Sequence, residues 1–251
     1  MPRRHRVPVP SLALGSLVLD PLASKYVCKV LRVAAGDNLQ LFDPLSVQRG
    51  EARVVVSEPS RVVCEVLCIE TATEVPSVRV SILQGMSKGD RVERVIQDAT
   101  ALGVTRIVVT RTEHAVVPPP ENSDARLTRW RRIALEAARQ SGRGDVPEIS
   151  VGSSLSASLV QVGNLPLRLL LEPSAKLTLA ERLASWEVAT GICVAVGPEG
   201  GFSAGELAEF AHQGWHGATL GPLVLRTELA PIVALAQILG RTLGPAEALP
   251  L

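Results

Sequence analysis

Three short stretches place glycine, proline and a few charged residues directly after apolar runs. They are Leu171-Glu172-Pro173-Ser174, Gly197-Pro198-Glu199-Gly200-Gly201, and Leu220-Gly221-Pro222 leading on to Leu225-Arg226-Thr227-Glu228. Backbone that lacks a Cβ bends sharply and lets a ligand approach closely, and in open α/β sheets ligands sit beyond the carboxyl ends of the strands. Loops of this kind at three neighbouring strand ends would line one crevice with main-chain N–H and C=O groups, suited to a purine edge and a small amino-acid moiety. Gly-Pro-Glu-Gly-Gly lacks the G-x-G-x-x-G spacing of a dinucleotide site, and no Gly-Lys-Ser/Thr follows it, so NAD and ATP are poor matches.

The elements that must position these loops follow from pattern. Ile192 to Val196 is apolar throughout and predicts a strand. Ser203 followed by Glu206 has the spacing of a capping box, which pins the far end of the glycine loop at a helix start. Upstream, Val78 to Met86 reads as a strand, and Asp90 to Gly103 repeats apolar residues at Val92, Val95, Ile96, Ala99 and Leu102 before the glycine stop. Thr105 to Thr110 is the next strand. Strand, helix, strand implies a parallel sheet with covering helices, hence the α/β class. A long helix over about 125–140 buries Leu127, Trp130, Ile133, Ala134 and Ala137, and its other side carries Arg126, Arg129, Arg132 and Arg139. From Asp124 to Asp145 six arginines stand against three acids, an excess that suits phosphate oxygens.

The first seventy or so residues read differently. Val7–Pro10, Tyr26–Val33, Asn38–Pro44, Ala52–Ser60 and Arg61–Glu70 are short strand-like runs broken by turns, predicting a small barrel-like β-domain. The pattern loosens between Thr71 and Pro76, which divides the chain into domains at 1–72 and 73–251. With only Tyr26 and Phe42 as aromatics, the first domain cannot offer a stacking platform for single strands, so any RNA is read through backbone and shape.

Composition narrows the rest. Apolar residues make up 46% and charged residues 20%, and no apolar run reaches the roughly 18 residues of a membrane span. The basic start, Met1 to Pro10, is not followed by an apolar segment, so no signal peptide is expected and the cytoplasm is the expected location. A net charge of +1 makes any basic surface local. Cys28, Cys64, Cys68 and Cys193 have no metal-ligand spacing and read as reduced core residues, with Cys64 and Cys68 on one strand face. No metal is expected.

Four segments carry a family resemblance: Gly197–Ser203, Leu220–Glu228, Met86–Val104 and Trp130–Ile149. In their order along the chain, and with His5–Pro10 and Lys29–Asp43 fitting as well, they make the chain resemble the bacterial 16S rRNA (uracil-N3)-methyltransferases over nearly its whole length. The resemblance implies a C-terminal SPOUT-type, trefoil-knotted domain that binds S-adenosylmethionine, a small PUA-like N-terminal barrel, a homodimer, and methylation of the uridine at position 1498 of 16S rRNA in the small ribosomal subunit. It places Leu171 and Glu172 on the first cofactor loop, Gly197, Pro198, Glu199, Gly200 and Gly201 on the second, and Leu220, Gly221, Leu225 and Thr227 on the third. The chain departs from the family where Leu229 and Pro231 follow Arg226-Thr227-Glu228, where Arg139 precedes Gln140, and at Asp98, which stands where a lysine is frequent. Pro231 has no N–H and must lie in the first turn of the following helix.

Methylating uridine N3 requires removal of its proton and stabilisation of the developing anionic ring. Arg226 is the expected stabiliser of a uracil oxygen and Glu228 the expected proton relay, the two catalytic candidates. Arg3, Arg4, Arg6, Lys88, Arg129, Arg132, Arg139, Gln140 and Arg143 are candidates for holding RNA. Two other readings stay open on the residues alone: a SPOUT enzyme acting on ribose 2′-OH or tRNA, and a non-catalytic RNA-binding module.

Overall fold

In the computed structural model, which describes residues 5–115, 123–184, 186 and 191–242, the chain forms two units. The first is Met1–Val75 with Ala138–Val146, and the second is Pro76–Ala137 with Pro147–Pro250. Residues 138–146, which the sequence pattern assigns to the later domain, therefore group with the earlier one.

The first unit is built on a five-stranded mixed sheet. Strands β1 (Arg6–Pro8), β2 (Gly15–Val18), β3 (Asn38–Asp43), β4 (Gln48–Glu58) and β5 (Arg61–Thr71) lie in the order β1-β3-β4-β5-β2. β1 and β3 run parallel, the other pairs antiparallel. Leu39, Leu41, Val54, Val62, Cys64 and Val66 alternate into its core. Two expectations fail here. Tyr26–Leu31 is helical, not a strand, and Arg32 and Val33 follow outside any element. Asp20 accepts from the N–H groups of Leu22 and Ala23 at 2.8 and 2.9 Å, Pro21 takes the first helical position, and helix α1 (Pro21–Tyr26) continues as a π-helical turn over Val27–Leu31. Ala23, Val27 and Leu31 stand four apart, and that helical spacing packs them on the core where β-branched propensity pointed to a strand. Cys68 is exposed while Cys64 is buried. The ladder with β4 slips between Glu51 and Ala52, leaving Leu67 as an extra residue in β5, so the residues beyond it lose their face. Burial pushes the Cys64 thiol up to about 11.

The second unit holds a six-stranded, all-parallel sheet. Its strands are β6 (Val80–Gly85), β7 (Arg106–Thr110), β8 (Glu148–Gly152), β9 (Leu167–Leu171), β10 (Ile192–Val196) and β11 (His216–Ala218), in the order β11-β9-β10-β6-β7-β8. β6 and β10 are buried along their entire length, as strands covered on both faces must be. Ile192, Val194 and Val196 join one core while Cys193 and Ala195 join another. The covering helices are α2 (Arg91–Leu102), α3 (Ser123–Ser141), α4 (Leu155–Gln161), α5 (Leu179–Ala184), α6 (Ala204–His212) and α7 (Ala230–Thr242). α2 stops at Gly103, whose φ of 100° closes the helix. α3 buries Trp130, Ala134 and Ala137 as its period predicts, with Leu127 and Ile133 half-buried beside them. No helix among the described residues is long and apolar enough to cross a membrane.

Candidate functional site

The sheet order brings β11, β9 and β10 side by side, all pointing the same way. The loops leaving their carboxyl ends are therefore the three singled out in the sequence, and they line one cavity of about 530 Å³. Leu171, Glu172, Gly197, Pro198, Glu199, Gly200, Gly201, Leu220, Leu225, Arg226, Thr227 and Glu228 all reach its wall. Gly221 lies on the third loop with a φ of 125°, a backbone state that favours glycine.

The second loop is pinned at both ends. At its start, a Cβ on Gly85 at the end of β6 would lie 2.5 and 2.6 Å from Cδ and N of Pro198, so the strand and the loop touch where only glycine fits. At its end, the Ser203 N–H donates to Glu206 Oε2 at 2.8 Å while the Glu206 N–H donates to Ser203 Oγ at 3.2 Å, the reciprocal cap. The Glu113 N–H donates to the other oxygen of Glu206 at 3.0 Å. His114 Nδ1 lies 3.0 Å from the Gly200 carbonyl oxygen. A Cβ on Gly200 would press on His114, whereas one on Gly201 would meet open space at a φ of 69°.

Side chains that the sequence did not single out join the loops. Gln84, fully buried at the end of β6, donates from Nε2 to Thr227 Oγ1 at 3.0 Å, and Thr227 Oγ1 donates to the Gly197 carbonyl at 2.6 Å. The second and third loops are thus tied through one hydroxyl. Arg91, first residue of α2, pairs with Glu199, and its Nε lies 3.6 Å from Glu228 Oε2. The Lys88 N–H donates to the same Glu199 oxygen as Arg91, at 3.1 Å. Linear spacing held no sign of Gln84 or Arg91. β6 and α2 become neighbours of the loops only because β10 pairs with β6. Leu229 and Ala230 N–H groups donate to the Arg226 carbonyl, and Pro231 follows in the first turn of α7. Arg226 itself is exposed at the cavity wall. Among the described residues no group of three or more His, Cys, Asp or Glu is placed to hold a metal ion.

The expected RNA contacts scatter. Arg3 and Arg4 lie outside the described residues. Arg6 is committed within the first unit: its guanidinium stacks 4.5 Å over Phe42, donates to Gln40 at 2.9 Å and reaches the carbonyls of Ala138 and Arg143. Burial lowers its pKa, with Glu74 opposing. Arg143 is 5% exposed and forks onto Asp145, Nε to Oδ1 at 2.6 Å and Nη2 to Oδ2 at 3.0 Å. Arg6, half-buried, and Arg143, buried, are both tied to their own chain by these bonds. Arg139 stacks 4.2 Å from the Tyr26 ring centre and hydrogen-bonds its hydroxyl. Arg129 pairs with Glu93 at 2.7 Å on the surface. Lys88, Arg132 and Gln140 are exposed.

This architecture has relatives. The family model for the RNA methyltransferase domain matches residues 73–239. The ribosomal RNA small subunit methyltransferase E of Synechocystis is 30% identical over 228 residues, 89% of this chain and 73% of that one. The structure of a Legionella pneumophila methyltransferase with bound S-adenosylmethionine superposes with a TM-score of 0.86 at 29% identity, covering 95% of this chain and 98% of the other. That of ribosomal RNA small subunit methyltransferase E from Neisseria gonorrhoeae, bound to S-adenosylmethionine, gives 0.84 at 29% identity with the same coverage. The three-loop cavity, the family model that spans it and a relative alike along most of both chains lead to one conclusion: the chain belongs to the RNA methyltransferase family that includes ribosomal RNA small subunit methyltransferase E.

Proposed function

We propose that the chain transfers a methyl group from S-adenosylmethionine to N3 of a uridine in 16S rRNA of the small ribosomal subunit. The observation that carries this is the convergence of three strand-end loops on one cavity with Arg226 and Glu228 on its wall. The cavity fits the cofactor. Its volume of about 530 Å³ lies in the range of about 300–1,000 Å³ typical of small-molecule sites. Leu171, Leu220 and Leu225 offer apolar walls, the glycine loop offers main chain, and one carboxylate oxygen of Glu228 is buried without a hydrogen-bond donor. When bound, S-adenosylmethionine supplies an activated methyl group on a sulfonium.

The residues of the chain then have three tasks. The loops holding Leu171 and Glu172, Gly197–Gly201, and Leu220–Thr227 bind the cofactor. Arg226 balances charge on a uracil oxygen as the ring becomes anionic. Glu228 accepts the N3 proton on its carboxylate, so that the N–H electron pair is free to form the new N–CH₃ bond while the carboxylate becomes a neutral acid. RNA is held by Lys88, Arg129, Arg132, Arg139 and Gln140 and by the first unit as a whole. The same reading takes the first unit as a PUA-like barrel, the second as a SPOUT-type knotted domain, and the active form as a cytoplasmic homodimer. Leu223 and Val224, 76% and 78% exposed beside the cavity, support an interface with a second copy.

The test is transfer to purified small subunits from cells lacking this methylation, followed by digestion and mass spectrometry of nucleosides. The expected product is 3-methyluridine in 16S rRNA. A 2′-O-methylated ribose, methylation of tRNA in its place, or no transfer overturns the reading.

A further inference from the structure

The contact between Arg91 and Glu228 spans two elements that the sequence keeps more than a hundred residues apart. Arg91 opens α2, and its side chain is 36% exposed at the edge of the cavity. One side of the guanidinium is anchored: it pairs with Glu199, whose Oε1 is also fixed by the Lys88 N–H at 3.1 Å. The other side faces Glu228 Oε2 across 3.6 Å, too far for a hydrogen bond. Glu228 is 14% exposed, and that oxygen is buried with no donor in reach. A buried carboxylate with no hydrogen bond is costly, and a guanidinium held at this distance offsets part of the cost through charge alone.

The geometry carries a chemical consequence. A carboxylate gripped by a two-pronged arginine has its lone pairs occupied. One attracted from 3.6 Å is held in place by charge, with no hydrogen bond to the arginine. Because Glu199 retains Arg91, the guanidinium does not close onto Glu228. We propose that Arg91 is a positioning residue for Glu228: suspended from Glu199 of the second loop, it holds the buried Oε2 of Glu228 by charge and so leaves the other oxygen of this cavity-lining carboxylate to meet the proton. The inference rests on the reading of Glu228 as proton acceptor. Arg91 touches neither reacting atom in this arrangement and acts through Glu228.

Four variants test it: Arg91→Met, Arg91→Lys, Glu228→Gln and the double variant Arg91→Met with Glu228→Gln. Each is measured in single-turnover transfer to small subunits at saturating S-adenosylmethionine, with cofactor affinity measured separately by calorimetry. Glu228→Gln is expected to slow transfer by about a hundredfold, the ordinary contribution of a positioned proton acceptor. Arg91→Met should slow it by about tenfold while cofactor affinity stays within about threefold, and Arg91→Lys should recover most of that loss, since a single charge suffices. The double variant should be no slower than Glu228→Gln alone, because residues acting through one another do not add. An Arg91→Met enzyme at wild-type rate, rate losses that multiply in the double variant, or a rate loss matched by lost cofactor affinity overturns the inference while leaving Glu228 in its role. A wild-type rate for Glu228→Gln removes the proton acceptor itself, and the inference with it.

Discussion

Arginines serve the two units in opposite ways. In the first unit two are spent internally: Arg6 bridges a side chain and two carbonyls, and the buried Arg143 forks onto Asp145. In the second, Arg226 stands exposed on the cavity wall and Arg91 faces two carboxylates that line it. The same residue type is structural cement in one place and a chemical instrument in the other. What separates them is burial and the neighbour that meets the fork, neither of which is a property of the sequence run. Counting basic residues along α3 predicts an RNA-binding face, yet the segment's last arginine, Arg143, points into its own unit.

The sharpest way to break this comparison is to remove one arginine from each side. Arg143→Ala should cost about 1–3 kcal/mol of stability, because it removes a charge-assisted fork and a buried side chain while Asp145, 22% exposed, keeps access to water. Urea unfolding of the whole protein should then show the first unit melting early, with cofactor affinity retained by the folded second unit. An unchanged unfolding curve would mean that the Arg143–Asp145 fork is ornamental. Arg226→Ala should do the reverse. Its unfolding curve should match wild type, while transfer slows about a hundredfold, the usual loss when one donor to a developing anion is removed. Cofactor affinity should barely change, since that interaction forms only as the ring becomes charged. A matched loss in affinity and rate would make Arg226 a binding residue.

Glycines allow a finer contrast within the second unit. Adding one methyl group at Gly85 forces Pro198 away, since no side chain can yield there, and overpacking of this sort costs about 1–3 kcal/mol. The Gly85→Ala variant should bind S-adenosylmethionine about tenfold or more weakly. Gly201→Ala meets nothing and bears only the strain of its positive φ, about 1 kcal/mol. Its affinity should drop less. Calorimetry giving the opposite order would show that the glycine loop is shaped by its own turn and not by contact with β6.

The second unit was the more legible half for a physical reason. Parallel strands buried on both faces leave long apolar runs, and helices between them leave a clean period, so β6, α2, β7 and the trio of strand-end loops stand out. The mixed sheet of the first unit is written less plainly. Ala23, Val27 and Leu31 carry a helical period under a β-branched surface, and a single slipped residue at Leu67 is enough to turn Cys68 outward. In the site itself the loops announce themselves, whereas Gln84 and Arg91 do not. Gln84 meets Thr227 143 positions away, through a strand order that no local pattern encodes. Pairing β10 with β6 is what converts a strand end and a helix start into walls of the same site.

The smallest expected effect separates an RNA contact from a structural arginine that shares its helix neighbourhood. Arg132 is exposed on α3, six residues ahead of Ala138, where the chain groups with the first unit. If it touches a phosphate, Arg132→Ala should weaken binding to small subunits by a few-fold at moderate salt, and it should lower the dependence of log affinity on log salt by about one counterion, near 0.7 to 0.9. Stability should stay within about 0.5 kcal/mol, as for most exposed substitutions. Arg129→Ala supplies the comparison, because Arg129 already pairs with Glu93, and an exposed pair of that kind contributes at most about 1 kcal/mol. A phosphate must compete with Glu93 for Arg129 but has no such rival at Arg132 among the contacts of the described residues, so the salt slope should fall more for Arg132→Ala. Filter binding over a salt series reads both slopes directly. Equal slopes for wild type and both variants would take this face of α3 out of the RNA-binding surface.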